Sequence, residues 1–200
     1  EPLMRRVEEQ ISDGRVLNLL RQLLEQEVME SVRLWTPEEG TPQGAVISPL
    51  LANIYLNPLD HLMAARGMAM IRYADDMVVL CQTREQAEEA LQMIRAWTVE
   101  AGLTLHPEKT KLVDVSEPGK GFDFLGYHFE RDHKKPRKKS LTKFKDRIRE
   151  LTPRLNGHSL EHIIKTLNRT IQGWFEYFKH SHERTFRPLD ARIRERLRAM

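Results

Sequence analysis

A chain of 200 residues with 40% hydrophobic and 30% charged residues, 10 Gly and 10 Pro has ordinary globular composition. That excludes collagen-like, low-complexity and wholly disordered chains. The net charge of +3 hides an asymmetry: residues 1–129 carry 12 Lys/Arg against 20 Asp/Glu, and residues 130–200 carry 20 against 9. An acidic body joined to a basic tail points to a polyanionic partner, the plainer reading being a solvated helical surface.

In chain order, residues 2–11 and 15–28 read as helices broken at Ser12-Asp13-Gly14, the second with Val16, Leu19, Leu20, Leu23 and Leu24 on one face. Residues 30–36 alternate as a strand through Val32 and Leu34, and residues 37–44 are a Pro- and Gly-rich loop. Ser48 before Pro49 predicts an N-cap and a helix running to Arg66, stopped by Gly67. Residues 68–73 and 77–81 read as strands around Ala74-Asp75-Asp76. Thr83 to Gln86 has capping-box form, and the helix behind it ends near Gly102. Residues 110–115 and 122–129 read as strands on either side of a Pro118-Gly119 turn.

Composition shifts near residue 130, where a basic run through Lys139 reads as a linker. Helices are predicted over 141–152, 159–179 and 186–198, with Ser159 as the N-cap of the second. Its buried face is assigned to Leu160, Ile163, Ile164, Leu167, Ile171, Trp174, Phe175 and Phe178. The expected fold class is α+β: an antiparallel sheet packed on helices over 1–129, a basic linker over 130–140, and an all-α basic region over 141–200.

The sharpest local feature is Tyr73-Ala74-Asp75-Asp76 between two apolar strand patterns. Adjacent carboxylates at a hairpin tip repel, and a bound divalent cation removes that cost; Asp oxygens suit Mg²⁺. A solvated Asp turn is the plain alternative. Upstream, Thr41-Pro42-Gln43-Gly44 leads into a helix N-terminus, an arrangement that lets backbone N–H groups approach phosphate or a base; a plain loop before a core helix is the alternative. Gln43 precedes Asp75 by 32 positions.

In that order and spacing the sequence resembles a reverse transcriptase, most closely the intron-encoded reverse transcriptase/maturase of group II introns. Thr41 to Leu56 resembles the palm motif that supports template and incoming nucleotide, and Tyr73 to Asp76 its metal-binding Tyr-x-Asp-Asp. Gly102 to Lys111 is similar to the next palm motif, with His106 where the family often has Asn. Phe122 to Tyr127 resembles the hairpin that grips the primer end, and Leu167 to Phe178 the maturase thumb that binds intron RNA.

The resemblance implies RNA-directed DNA polymerisation by two-metal nucleotidyl transfer, with intron RNA binding and a splicing role; the alternative is an RNA-binding splicing cofactor without polymerase activity. It implies Asp75 and Asp76 as catalytic residues and Mg²⁺ ligands. It implies Pro42, Gln43, Gly44, Tyr73 and Lys109 at the nucleotide and template, and Phe124, Leu125 and Gly126 as primer grip. Lys109 is read either as neutralising phosphate charge or as an exposed strand-edge lysine. RNA contacts are expected at Arg169, Tyr177, Lys179, Arg192 and Arg196. Trp174 and Phe178 fall at core spacing. Tyr55 reads either as a neighbour of the nucleotide or as a core tyrosine, and Arg72 either as a nucleic-acid contact or as the partner of a nearby carboxylate. His180 and His182, two apart on a helix, do not share a face for a metal.

The partners implied are intron RNA, primer–template nucleic acid and dNTPs, with a homodimer as a further expectation. No stretch approaches ~18 consecutive apolar residues, so no membrane span is expected. The lone Cys81 cannot form an internal disulfide, which fits a reducing, cytoplasmic setting, and the resemblance implies a bacterial one. The chain opens on Glu1-Pro2 and reads as a piece of a longer frame. Its one Asp before residue 40, Asp13, sits in a helix break, so the family's third carboxylate ligand is expected upstream of residue 1 and this piece alone is expected to be polymerase-dead.

Overall fold

Glycines and capping residues divide the apolar pattern into short elements. The computed structural model describes residues 2–24, 28–30, 33–35, 46–153 and 157–200. They fall into two compact units, residues 1–112 and 113–200. The expected α+β class holds.

In the first unit, α1 (Pro2–Glu8) and α2 (Gly14–Leu24) meet at a break where the Asp13 carboxylate accepts from the Arg15 N–H at 2.8 Å. This is an N-cap interaction that satisfies a helix donor left without a backbone partner. The strand expected over 30–36 is instead a hairpin of β1 (Val28–Glu30) and β2 (Arg33–Trp35), with Val28 opposite Trp35.

Helix α3 (Ser48–Ala65) starts one residue earlier than its proline signal suggests. Ile47 is the N-cap, and Ser48 and Pro49 are already helical. At its end Gly67 takes φ +67°, and the Gly67 and Met68 N–H groups bond back to Ala64 and Met63. This closure needs a left-handed residue, which glycine supplies without strain. Leu51 of α3 packs with Met4, Val7 and Leu20, while Leu59 and Met63 pack with Met68, Ala90 and Ile94. The single helix thus joins two cores, the second lying beneath the strands that follow.

Those strands are β3 (Ala69–Tyr73) and β4 (Asp76–Leu80), antiparallel with Tyr73 opposite Asp76. Their apolar alternation places Met70 and Arg72 inward and Ile71 and Tyr73 outward. Helix α4 (Arg84–Glu100) is capped by Thr83, whose hydroxyl accepts from the Gln86 N–H at 3.2 Å, and ends at Gly102 with φ +69°. Residues 110–115, expected as a strand, form none: no neighbouring strand among the described residues takes up their backbone groups.

In the second unit, the expected single strand over 122–129 is a hairpin. β5 (Phe122–Phe124) and β6 (Tyr127–Phe129) turn at Leu125-Gly126. The basic stretch 130–140, expected as a linker, contains a third strand, β7 (Lys134–Pro136), paired with β6. It also contains the start of α5 (Lys138–Leu151), three residues earlier than expected. On the strand, Lys135 donates its ammonium to Glu130 and Lys134 lies over the Tyr127 ring at 5.1 Å, while Lys138 and Lys139 at the start of α5 are exposed.

Helix α6 (Leu160–Phe178) is capped by Ser159, which accepts from the His162 N–H at 3.3 Å. After the turn Glu183–Thr185 comes α7 (Phe186–Arg198). Phe144, Ile148, Leu167 and Leu189 form the core of this unit. The apolar face assigned to α6 was too wide: Leu160, Ile164 and Phe175 are exposed. Only the stripe through Ile163, Leu167, Ile171, Trp174 and Phe178 faces inward, because one helix packed on two others hides about that arc.

Candidate active site and nucleic-acid interface

Ala74 and Asp75 form the two-residue turn between β3 and β4, and Asp76 is the first residue of β4. Ala74 has φ +54°, a left-handed conformation that a residue with a Cβ adopts at some cost. Asp75 and Asp76 are both exposed at this tip, and among the described residues no ion pair reaches either. Carboxylate oxygens of this kind fit a divalent cation such as Mg²⁺. Among the described residues no third acidic, His or Cys side chain joins them, so these two supply part of such a donor set.

The turn is braced from behind by Arg72. Its Nε and Nη2 donate to the two carboxylate oxygens of Asp60 on α3, at 2.8 and 2.5 Å. Its Nη1 donates to the Asn53 side chain and to the Ala74 carbonyl, each at 2.9 Å. The hydrogen bond to Asp60 raises the guanidinium pKa further above its usual value, against an opposing effect of burial. Of the two readings of Arg72, pairing with a carboxylate is the one that holds. Asp60 and Asn53 were missed. Their signal was faint: two polar side chains seven apart, hence on one face, of a helix that also carries Asn57 and His61.

Tyr55 is half-buried and bonded within the first unit. Its hydroxyl donates to the Ala101 carbonyl at 2.5 Å and its ring carries Arg6 at 5.1 Å. Pro42, Gln43 and Gly44 lie outside the described residues. Tyr73 is exposed on the outer face of β3. Lys109 is exposed on a turn, not at a strand edge, because the strand expected around it does not form. In the same turn His106 Nδ1 accepts from the Glu108 N–H at 3.3 Å. An asparagine side chain makes that i to i+2 bond too, so His106 keeps the local geometry in place of the residue common in the family.

Phe124, Leu125 and Gly126 form the β5–β6 tip. Leu125 has φ +47° and Gly126 +82°, the pair of positive values that a tight two-residue hairpin turn requires. The turn is held from all sides within its unit. The Gly126 carbonyl accepts from the Arg137 N–H at 2.9 Å and from Ser140 Oγ at 3.1 Å. Tyr177 donates its hydroxyl to the Leu125 carbonyl at 2.7 Å, and Tyr127 donates to the Tyr177 carbonyl. The two rings stack at 5.8 Å, and burial raises the Tyr127 phenol pKa. A Cβ on Gly126 would sit in ordinary contact 3.6 Å from the Phe178 ring, so it is the φ of +82°, not lack of space, that favours glycine here. Tyr177, expected as an RNA contact, is committed to holding this hairpin with its hydroxyl, while one edge of its ring remains exposed.

Arg196 is likewise committed. Its Nε donates to Thr152 Oγ1 at 3.1 Å and its Nη2 to the Thr152 carbonyl, which closes the C-terminus of α5. Arg169 and Lys179 are exposed on and just after α6, Lys179 within 2.8 Å of Glu176; Arg192 is half-buried on α7. Along α5, Lys138, Lys139, Lys143 and Arg147 share an open groove with Asp123, Asp146 and Glu150, so its lining is of mixed charge.

Residues 4–129 match the family model described as reverse transcriptase (RNA-dependent DNA polymerase), and residues 141–200 the maturase-specific domain of group II introns. Protein YkfC of Escherichia coli (strain K12) is 29% identical over 64% of this chain and 42% of its own length. The retron Ec86 reverse transcriptase of Escherichia coli is 33% identical over 34% of the chain and 23% of its own length. The group II intron-encoded protein LtrA of Lactococcus lactis is 34% identical over 34% of the chain and 11% of its own length. The chain therefore spans less than half the length of these relatives. With the Asp pair at a hairpin tip and a basic helical region later in the sequence, the chain belongs to the reverse transcriptase family, followed by a maturase-specific region of the group II intron type.

Proposed function

We propose that the protein is an RNA-directed DNA polymerase that also binds intron RNA in splicing, with residues 1–129 on the polymerase side and 141–200 on the RNA side. The observation that carries the reading is the exposed Asp75–Asp76 pair on a braced hairpin turn within the region matching the reverse transcriptase model. In this reading Asp75 and Asp76 hold Mg²⁺, which supplies charge neutralisation and a more acidic primer 3′-hydroxyl. The chain's residues do the positioning: Pro42, Gln43, Gly44, Tyr73 and Lys109 meet template and nucleotide, and Phe124, Leu125 and Gly126 hold the primer end. The primer oxygen forms a bond to the α-phosphorus of a dNTP as the bond to the pyrophosphate oxygen breaks.

The test is primer extension on an RNA template with Mg²⁺ and dNTPs, by a protein holding this chain together with the sequence preceding it in its frame. Template-dependent extension is expected. Its absence, with RNA binding retained, moves the splicing cofactor reading ahead. The proposed setting is cytoplasmic: among the described residues no helix is long and apolar enough to cross a membrane. A homodimer remains an expectation of the sequence alone.

RNA contact is proposed at Arg169, Lys179 and Arg192, supported by their position in residues 130–200, which carry 20 basic against 9 acidic residues. Arg169→Glu is expected to weaken RNA binding and to reduce the log–log salt slope by about 1–2 in filter binding. Arg196→Glu is expected to lower the melting temperature instead, because it removes both bonds to Thr152. An unchanged slope for Arg169→Glu would make that face merely solvated.

A further inference from the structure

We propose that Arg72 is a positioning residue for the Asp75–Asp76 pair, acting as a fork that ties the Ala74 carbonyl to Asp60 and Asn53 on α3. The inference rests on the polymerase reading of the pair, but the positioning itself can be measured without catalysis. Four observations meet at this side chain. First, it is only 9% exposed although it lies on a two-stranded hairpin. Second, its Nε and Nη2 engage both oxygens of one carboxylate, a bidentate geometry that a planar guanidinium allows and an ammonium does not. Third, its remaining bonds go to Asn53, seven residues before Asp60 on the same helix face, and to a main-chain oxygen of the turn.

Fourth, that oxygen belongs to Ala74, which is held at φ +54°. A left-handed alanine persists only where its surroundings fix it. Asp75 follows it directly, and Asp76 pairs across to Tyr73, so the peptide that Arg72 grips sets the direction in which the next two side chains leave the backbone. A hydrogen-bonded acceptor deep in a loop would merely add stability. Here the acceptor is the residue next to the proposed ligands, and its anchor is a helix already locked by Leu59 and Met63, both 0% exposed. The arrangement passes the rigidity of α3 to the turn, as preorganisation of a reacting group requires.

The test compares wild type with Arg72→Lys and Asp60→Asn in the full chain, free of metal. Arg72→Lys keeps a positive charge but not the fork. Amide exchange at Asp76 and Met77 is expected to speed up about tenfold, with exchange at Ile94 in α4 unchanged. In a Mn²⁺ titration read by paramagnetic broadening of the Asp75 and Asp76 amides, the half-maximal concentration is expected to rise at least threefold. Asp60→Asn, which keeps an acceptor, is expected to fall between the two. In primer extension by the longer protein, Arg72→Lys is expected to lower kcat about thirtyfold with KM for dNTP within twofold. Exchange that rises equally through α3 and α4 would mean a general structural role and overturn the proposal. So would wild-type exchange and Mn²⁺ response in Arg72→Lys. Should Arg72→Lys fail to fold, Asp60→Asn decides by the same two readouts. A wild-type protein that extends no primer would sink the polymerase reading alone, since the exchange and Mn²⁺ results stand apart from it.

Discussion

Asp75→Asn is expected to lower Mg²⁺-dependent primer extension by about a thousandfold while leaving the fold intact. Charge stabilisation at a metal-assisted phosphoryl transfer contributes several kcal/mol, and each 1.36 kcal/mol is a factor of ten in rate. Asn keeps the shape and one oxygen but removes the charge, and Asp76 alone then faces the proposed ion. The position carries no packing role: Asp75 is exposed in a two-residue turn, and the turn's anchor is the Ala74 carbonyl, not the carboxylate. Removing one of two adjacent negative charges also relieves repulsion in the metal-free protein. Thermal unfolding of Asp75→Asn without Mg²⁺ should therefore match or slightly exceed wild type, the usual sign of a residue kept for function at a cost in stability. Extension within tenfold of wild type would remove Asp75 from the mechanism. A lower melting temperature would point instead to a structural turn.

The Asp pair was legible in the sequence because two strand patterns converge on it, and a hairpin leaves its tip in water. The caps were legible for a similar reason: Thr83 and Ser159 each accept an N–H three residues on, a purely local bond. The brace was not. Asp60 lies 12 residues from Arg72 and Asn53 lies 19 away, and only the packing of α3 under β3 brings them together. Periodicity reads 122–129 as one strand, and only the resemblance of Phe122 to Tyr127 to a primer-gripping hairpin implies the β5–β6 turn, because Leu125 sits in a left-handed conformation that its residue type disfavours. What secures that turn is tertiary: the exchange between Tyr127 and Tyr177, fifty residues apart. The same competition gives two of the expected RNA contacts a structural role as well. Tyr177 and Arg196 read as surface side chains by spacing, yet their polar atoms complete backbone groups that the fold would otherwise leave without partners. Polar residues chosen by charge and period cannot be told apart from those chosen by an orphaned carbonyl until the chain is folded.

Leu167→Ala carries the largest expected loss of stability in the helical unit, about 3 kcal/mol. Its side chain is 1% exposed and packs among Phe144 and Ile148 of α5 and Leu189 of α7. Truncation removes buried methyl groups and leaves a void that three helices, each pinned by other contacts, cannot close. Arg196 with Thr152 and Tyr177 with Leu125 are two such pins. Leu160→Ala on the same helix is the control, since its side chain is 59% exposed and its loss should cost less than about 0.5 kcal/mol. Native-state hydrogen exchange separates the effects. Protection across α5, α6 and α7 is expected to fall by about a hundredfold for Leu167→Ala, as 3 kcal/mol converts at 1.36 kcal/mol per decade. Exchange in α3 and α4 is expected to stay put, because their core is built from Leu59, Met63, Ala90 and Ile94 and shares no residue with this one. Equal losses in both units would mean that they unfold as one cooperative body. If the loss is confined to the helices, RNA affinity should fall with it, since Arg169 stands two residues along the helix that Leu167 anchors. Binding that holds steady while α6 loosens would place the RNA contacts elsewhere, with the lysines of α5 next to be tested.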